Sequence, residues 1–572
     1  MIVGDRLAEL LAENGVDHVY GVPGGQTLPL YEGISKLSEK IQHILMRDER
    51  SAGYAADAHA RISGRVGVCD ATVGPGATNL TSPLAEAYCS SIPVIAIISD
   101  ISQAWEHRRT RGNASQALDQ LGMFECMTKW IVKITDPKAL DTSVAAAFRV
   151  ATTGKPGPVV ICIPEDVFRA DFAFRGPVEG RDGATYPKTR SVPAPSDVKA
   201  AAQLLANADR PVMVVGGGAH ISGSYDEVRT LAEKLKCAVV TTISGIGILE
   251  SDHPQCFGTT GTFGNPVARD IVQSADAVLF VGCKVGQLTT FTYRCPAKNT
   301  PIIHLDIDPE EIGRNYTNSL PLVGDATLGL QALIAELEGA EPKADWNFYE
   351  LKEDYQAWYV DKTDPTHDKD EPLRPPALMA LLNEKLTDRD LIVCDASLAS
   401  GWAASFLKYE SSGRKNLSPR GLAGLGWGSP AAVGAALALD KKKRIIQLAG
   451  DGGFGYSVAE LEVMARLKLP IVTILLNNDI LGWIKHIQRD AYQNNYISSD
   501  FAHVDFAMVA QGFGARSYTA RTLGEFEEVL AKEANPEGPA LIEVISDQWS
   551  SPVLNLQAAN ESGERTAYEA KR

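Results

Sequence analysis

No apolar run in this 572-residue sequence approaches the roughly 20 consecutive residues needed to span a bilayer, which argues against a membrane protein. The amino-terminal MIVGDRLAEL reads as the start of an amphipathic helix and lacks the charged and apolar regions of a signal peptide, so a cytoplasmic location is expected. Basic residues are also in short supply. Against 71 Asp and Glu there are 55 Lys and Arg, and the net charge of −16 argues against a nucleic-acid partner, which needs a clustered basic surface. The nine cysteines (Cys69, Cys89, Cys126, Cys162, Cys237, Cys256, Cys283, Cys295 and Cys394) include no CxxC pair and lie mostly in apolar or strand-like runs such as VGVCDATV. That is the setting of buried, reduced thiols. No short tandem repeat is present.

What the sequence does have is an ordinary globular composition, 45% hydrophobic and 22% charged, over a length too great for one core. From Val16 to Asp100 the β-rich runs DHVYGVPG, HILMRDE, RVGVCDATVGPG and IPVIAIISD alternate with helical stretches. A second block holds RPVMVVGGGAHISG, CAVVTT, AVLFVG and IIHLDIDP, and a third DLIVCDAS, RIIQLAGDG, IVTILLNN and PALIEVIS. Such alternation predicts α/β units, each a doubly wound parallel sheet with helices on both faces. Residues 176–197, rich in Pro and Gly, and residues 340–376, with the charged run DKTDPTHDKDEPLRPP, read as connectors. The expected units are therefore 1–175, 193–338 and 375–550, followed by a tail, 551–572.

The stretch from Leu448 to Asp479 carries the chemistry. RIIQLAG and IVTILL supply two strands; Asp451 follows the first and Asn478 the second, 27 positions later. Ligands of open parallel sheets bind at the carboxyl ends of strands. Gly450, Gly452, Gly453 and Gly455 allow a backbone close to a phosphate, and SVAE (Ser457 to Glu460) reads as a capping box that starts the intervening helix. One carboxylate and one amide form a hard-oxygen set, suited to Mg²⁺ or Ca²⁺ shared with phosphate oxygens and unsuited to zinc.

GDG followed at this separation by NN resembles the diphosphate and metal motif of thiamine-diphosphate enzymes. GVPGG (Gly21 to Gly25), RDERSAGYAADAHARISGRVGVCDATVGPGATNL from Arg47 and GLAGLGWGSPAAVGAAL from Gly421 resemble the acetolactate synthase branch, over residues 4–548. The resemblance implies three domains, pyrimidine-binding, central and diphosphate-binding, with the cofactor between the first domain of one subunit and the third of another, hence a homodimer or homotetramer. It implies thiamine diphosphate and Mg²⁺, and an enzyme that forms a hydroxyalkyl carbanion from a 2-keto acid and transfers it to a second carbonyl. Glu49 takes the place of the acid that bonds the cofactor's aminopyrimidine, and Gln116 that of an active-site glutamine, with Lys129 a basic residue of the same segment. Asp451, Asn478 and the carbonyl of Ile480 match the metal ligands. Leu425 matches the apolar wedge under the cofactor and Ala423 the carbonyl beside its amino group. Gly24, Gly25, Gly74, Asn79, Leu481 and Gly482 complete the implied cofactor contacts. His107 reads as a solvated histidine and is not part of the paired histidines of pyruvate-decarboxylase-type sites.

The sequence also departs from that branch. Trp483 and Ile487, in GWIKHIQ, stand where biosynthetic acetolactate synthases carry Met and a pocket-shaping Trp, so a changed acceptor pocket is expected. The segment Gly282–Phe291 (GCKVGQLTTF) lacks the acids and Arg of the family's flavin segment, which argues against FAD; resemblance to 2-hydroxyacyl-CoA lyases and oxalyl-CoA decarboxylases, which bind ADP in this domain, adds ADP to FAD and an empty domain as the alternatives that stay open. HLDIDPEEIG (residues 304–313) offers acids after a strand that suit a ribose or a turn cap, and VVGGGAHISG is a partial dinucleotide pattern. Related 2-hydroxyacyl-CoA lyases and oxalyl-CoA decarboxylases share the three-domain plan and close a carboxyl-terminal tail over CoA, so an acyl-CoA substrate and a lid at 551–572 stay open as alternatives. A non-catalytic regulatory relative is disfavoured by Glu49, Asp451 and Asn478 being present together.

Overall fold

The computed structural model describes residues 1–110, 113–173, 183–367 and 372–553. The two expected connectors fall partly outside the described residues, and the tail at 551–572 does so for all but its first three. Three parallel sheets of six strands each organise the chain. The first contains β1 (His18–Gly21), β2 (Gln42–Leu45), β3 (Gly67–Ala71), β4 (Val94–Asp100), β5 (Trp130–Lys133) and β6 (Val159–Pro164) in the order β2-β1-β3-β4-β6-β5. The central sheet contains β7 (Pro211–Val215), β8 (Ala238–Thr241), β9 (Cys256–Thr259), β10 (Ala277–Val281), β11 (Ile302–Asp306) and β12 (Ser319–Val323), ordered β12-β11-β10-β7-β8-β9. The third contains β13 (Asp390–Cys394), β14 (Asn416–Leu417), β15 (Arg444–Gly450), β16 (Ile471–Asn477), β17 (Arg516–Ala520) and β18 (Ala540–Ile545), ordered β14-β13-β15-β16-β18-β17.

These segments are strands for the reason their sequences suggest. VIAIISD and IVTILLN are buried at every position, as strands covered by helices on both faces must be. The first and third sheets share one winding, with order reversing between β1 and β3 and again between β13 and β15. The central sheet has the winding of dinucleotide-binding folds, reversing between β7 and β10. Such switch points open crevices at the carboxyl ends of the strands.

One hydrophobic core runs through the first and third units, joining Tyr20, Ala52 and Leu84 to Trp427, Phe454 and Leu475. Its centre is the contact between the helices Glu49–Ser63 and Gly428–Ala438. Small residues let their backbones approach: a Cβ on Gly434 would lie 2.1 Å from the Ala55 carbonyl oxygen. At one end the fully buried Trp427 donates its indole N–H to Asp57 at 3.1 Å, and Arg61 links Asp57 (2.9 Å) to Glu86 (3.0 Å). Burial makes this ion network depend on complete pairing, because one orphaned charge there is costly.

The SVAE segment is a correction. The helix begins at Glu460 with Ala459 before it, and the Ser457 hydroxyl has no hydrogen-bond partner among the described residues. The chain turns helically at once over Asp451–Phe454, and Glu460 instead accepts the Arg47 N–H of the first unit at 3.3 Å. A tertiary contact has replaced the local cap. All nine cysteines are free thiols, with Cys126 the exposed one. No helix among the described residues is long and apolar enough to cross a membrane.

Gly434→Ala should test the helix contact. A methyl driven against a backbone carbonyl forces the helices apart, and overpacking of this kind costs about 1–3 kcal/mol. The expected result is a lower denaturant midpoint at unchanged helix content; an unchanged midpoint would show that the contact is loose.

Candidate active site

The register of the third sheet sets the site. Gly450 pairs with Leu476 and Cys394 with Leu448, so Asp451, Asn478 and Asp395 leave three adjacent strands at nearly the same level. Beyond Asn478 the chain bends through Asp479, at φ 56°, and is pinned by the Leu481 N–H to the Ser499 carbonyl and the Phe501 N–H to the Asp479 carbonyl, both 2.8 Å. Gly482 then opens the helix Gly482–Ala491.

A cavity of about 340 Å³ lies over these strand ends. Ala423, Leu425, Gly450, Asp451, Gly452, Gly453, Asn478, Ile480, Leu481 and Gly482 all line it, so the third unit's expected site residues are gathered in one place. Trp483 also lines it and packs against Phe263 of the central unit, ring centroids 5.3 Å apart. Ile487 does not line it.

Asp451 is buried, and burial pushes its carboxyl up to about 7, with the charge of Asp479 adding to the effect. No cation of the described residues pairs with it. A buried carboxylate without a cation, on a loop of glycines, fits the negative half of a metal and diphosphate site. The loop has room only for backbone at its base: a Cβ on Gly453 would lie 2.7 Å from an Asp395 oxygen, whereas one on Gly450 would meet nothing within 4 Å.

Two residues of this site escaped the sequence reading. Asp395 accepts the N–H groups of Ala396 (2.7 Å) and Gly426 (3.1 Å), and burial raises its carboxyl to about 6. Its signal was available, an acid directly after the strand DLIVC, but a lone strand-end Asp is common. Glu86 had no signal, since it lies inside the helix Thr81–Ser90. Fully buried, it reaches across from the first unit and accepts the N–H groups of Gly421 (2.9 Å), Leu422 (2.6 Å) and Ala423 (3.0 Å). Burial alone would raise its carboxyl; Arg61 and these donors hold it below the usual range. Ala423 sits at φ 61°, so this clamp fixes a conformation that an alanine disfavours.

The remaining candidates form a second group at the crevice of the first sheet. Glu49 opens its helix after Asp48, whose side chain caps Arg50, and accepts the Asn79 amide at 2.9 Å. Gly74, at φ 73°, approaches the Gln116 backbone so closely that a Cβ would be 2.4 Å from its carbonyl oxygen. Gly74 also donates to the buried Gln120 at 3.2 Å, a third residue the sequence did not single out. Gly24 packs against Thr72, while Gly25 faces open space. None of these residues lines the Asp451 cavity. Lys129 belongs to neither group: its amine bonds the Val150 and Thr153 carbonyls, and burial lowers it to about 8. His107 is exposed beside Arg108.

A larger cavity, about 390 Å³, lies where the three units meet, over the β7/β10 crevice. Gly216–Gly218, Gly282–Thr289 and Asp306 line it. Asp306 caps the turn by accepting the Asp308 N–H at 2.9 Å, and Lys155 of the first unit takes Asp308 (2.8 Å) and Glu311 (2.9 Å). Two guanidinium groups, Arg414 and Arg420, face this space with no carboxylate partner among the described residues, and burial lowers both.

Comparison with known proteins bears on this arrangement. Residues 1–123 match the N-terminal TPP binding domain of thiamine pyrophosphate enzymes, residues 198–333 their central domain and residues 395–544 their C-terminal TPP binding domain. The class is therefore that of thiamine pyrophosphate enzymes. A probable acetolactate synthase large subunit of Methanocaldococcus jannaschii is 34% identical over 95% of this chain and 91% of its own. The acetolactate synthase large subunit of Cyanidium caldarium is 32% identical (94% and 92%), and an acetolactate synthase of Mycobacterium bovis 34% (88% and 81%). The chain belongs to the acetolactate synthase family of thiamine pyrophosphate enzymes.

Glu86→Gln should separate the clamp from the fold. It halves the acceptors offered to residues 421–423 and leaves Arg61 short of a charge, and a hydrogen bond to a charged group is worth about 1.5–3 kcal/mol. Thiamine diphosphate affinity should fall by about tenfold or more with a cooperative unfolding transition retained. Unchanged affinity in calorimetry would remove Glu86 from the account.

Proposed function

We propose that the protein decarboxylates a 2-keto acid such as pyruvate and joins the resulting two-carbon unit to a second carbonyl, using thiamine diphosphate and Mg²⁺. The observation that carries this is the Asp451 cavity, where a cation-free buried carboxylate, Asn478, the Ile480 backbone and a glycine loop converge. Asp451, Asn478 and the Ile480 carbonyl would hold the metal, and Gly450, Gly452 and Gly453 the diphosphate. Leu425 would support the bent cofactor, and the Ala423 carbonyl would accept its amino group. When bound, thiamine diphosphate supplies the electron sink that a 2-keto acid needs to lose CO₂. Glu49, held by Asn79, would hold a proton at the pyrimidine N1′, with Gln116, Gly74, Gly24 and Gly25 around it.

Because Glu49 does not line the Asp451 cavity of its own chain, the reading assigns each site to two copies, first unit of one and third of the other, as a homodimer or larger assembly. Ile487 stands where biosynthetic relatives are expected to carry the pocket-shaping Trp, and Trp483 where they carry Met, so the acceptor is left open. The relatives' names favour keto-acid chemistry over acyl-CoA cleavage. For the central cavity, the winding of its sheet and two arginines with no carboxylate partner among the described residues support an adenine nucleotide such as ADP.

The purified protein with thiamine diphosphate and Mg²⁺ should release CO₂ and acetolactate from pyruvate; formation of formyl-CoA from a 2-hydroxyacyl-CoA without keto-acid turnover would overturn the proposal. Glu49→Gln should keep the bound cofactor yet slow hydrogen–deuterium exchange at its C2 by about 10² to 10⁴, the range of a lost general acid or base. Exchange at the parent rate would return Glu49 to an ordinary helix start.

A further inference from the structure

At the amino end of β1, outside the lining of the Asp451 cavity, three side chains converge that the reaction does not use. Asp17 and His18 stand at the start of β1, and His59 lies near the carboxyl end of the helix whose first residue is Glu49. Asp17 Oδ1 is 3.0 Å from His18 Nδ1 and 3.5 Å from His59 Nε2, and the three ligand atoms lie within 4.8 Å of one another. In a tetrahedral site with bonds of about 2.0–2.1 Å, neighbouring ligand atoms sit about 3.3 Å apart, so the two short separations already match.

The surroundings match as well. His59 is buried, and its Nδ1 is engaged by the buried Tyr20 hydroxyl at 2.9 Å, which fixes the ring and leaves Nε2 directed at Asp17. An outer hydrogen bond that orients a ligating imidazole is the usual companion of a metal site. His18 Nδ1 is shut off from solvent and, among the described residues, makes no well-directed hydrogen bond. The Asp17 side chain is 54% exposed, which leaves an entry path and a coordination position for water. The guanidinium of Arg65, bonded to the Gly15 carbonyl at 3.1 Å, is the positive group that opposes a cation here.

We infer that Asp17, His18 and His59 form a binding site for a divalent transition metal of the zinc class, separate from the oxygen-lined site at Asp451. Two imidazoles and one carboxylate suit Zn²⁺ and do not suit Mg²⁺ or Ca²⁺, which take oxygen ligands. Among the described residues this is the one cluster of such composition. Occupancy would tie the start of β1 to the helix that carries Glu49.

The test is calorimetric titration of Zn²⁺ into the holoenzyme already saturated with thiamine diphosphate and Mg²⁺, which keeps the Asp451 site out of the measurement. One Zn²⁺ should bind per chain. Cys126→Ser, which removes the exposed thiol, should leave that event intact; Asp17→Ala and His18→Gln should abolish it. Tyr20→Phe should weaken it by about 10- to 100-fold, the effect of losing an orienting partner. Zn²⁺ binding that is absent in the parent, or unchanged in Asp17→Ala and His18→Gln, would overturn the inference. Asp17→Ala, at a half-exposed side chain, should melt as the parent does in the absence of Zn²⁺, so loss of binding is not confused with unfolding.

Discussion

The contact between the Glu49–Ser63 and Gly428–Ala438 helices constrains the rest of the molecule. It fuses the first and third units into one core, with Ala55 and Gly434 at backbone distance and Trp427, Asp57, Arg61 and Glu86 sealing one end. With that contact in place, the candidates of the first sheet do not line the Asp451 cavity of the same chain. Glu49 opens the helix on the first sheet's side, and the Asp451 cavity is lined only by residues of the third unit and by Phe263 and Leu288 of the central one. The same packing therefore stabilises a chain and leaves its proposed site incomplete. A second copy is the economical completion.

The contact also brings the first unit to the loop of residues 421–426. Glu86 belongs to the first unit, yet it holds residues 421–423 of the third by their N–H groups. Asp395 holds the same loop from below through Gly426. Between these two carboxylates Ala423 is kept in a left-handed conformation and Leu425 is presented to the cavity. Both carboxylates are buried, and each is satisfied by backbone donors, so neither is free to serve as a proton carrier without loosening the loop.

Much of this was legible in the sequence, for physical reasons that can be named. Parallel strands buried on both faces read as near-continuous apolar runs, so IPVIAIISD, RIIQLAG and IVTILL announced the three-unit α/β architecture. The placing of Asp451 and Asn478 just past the ends of neighbouring strands was legible because both strands could be read. Asp395 was legible in principle but unremarkable alone. Glu86 and Gln120 were not legible, because their partners are backbone groups distant in sequence. Ser457 to Glu460 was misread because Glu460 serves the first unit instead of its own helix. The His59 cluster was invisible for the same reason: only folding brings the helix against the start of β1.

The most direct test of the account mixes two disabled chains. Glu49→Gln and Asp451→Ala damage opposite halves of the proposed site, so each pure variant should be nearly inactive. A mixed dimer would contain one site with both halves intact and one with both damaged. Co-expression of differently tagged chains, followed by tandem purification, isolates that dimer, and it should recover about half the activity of the parent if each site draws on two copies. Tagged mixed dimers that form but stay as inactive as the single variants would contradict a site built across two chains.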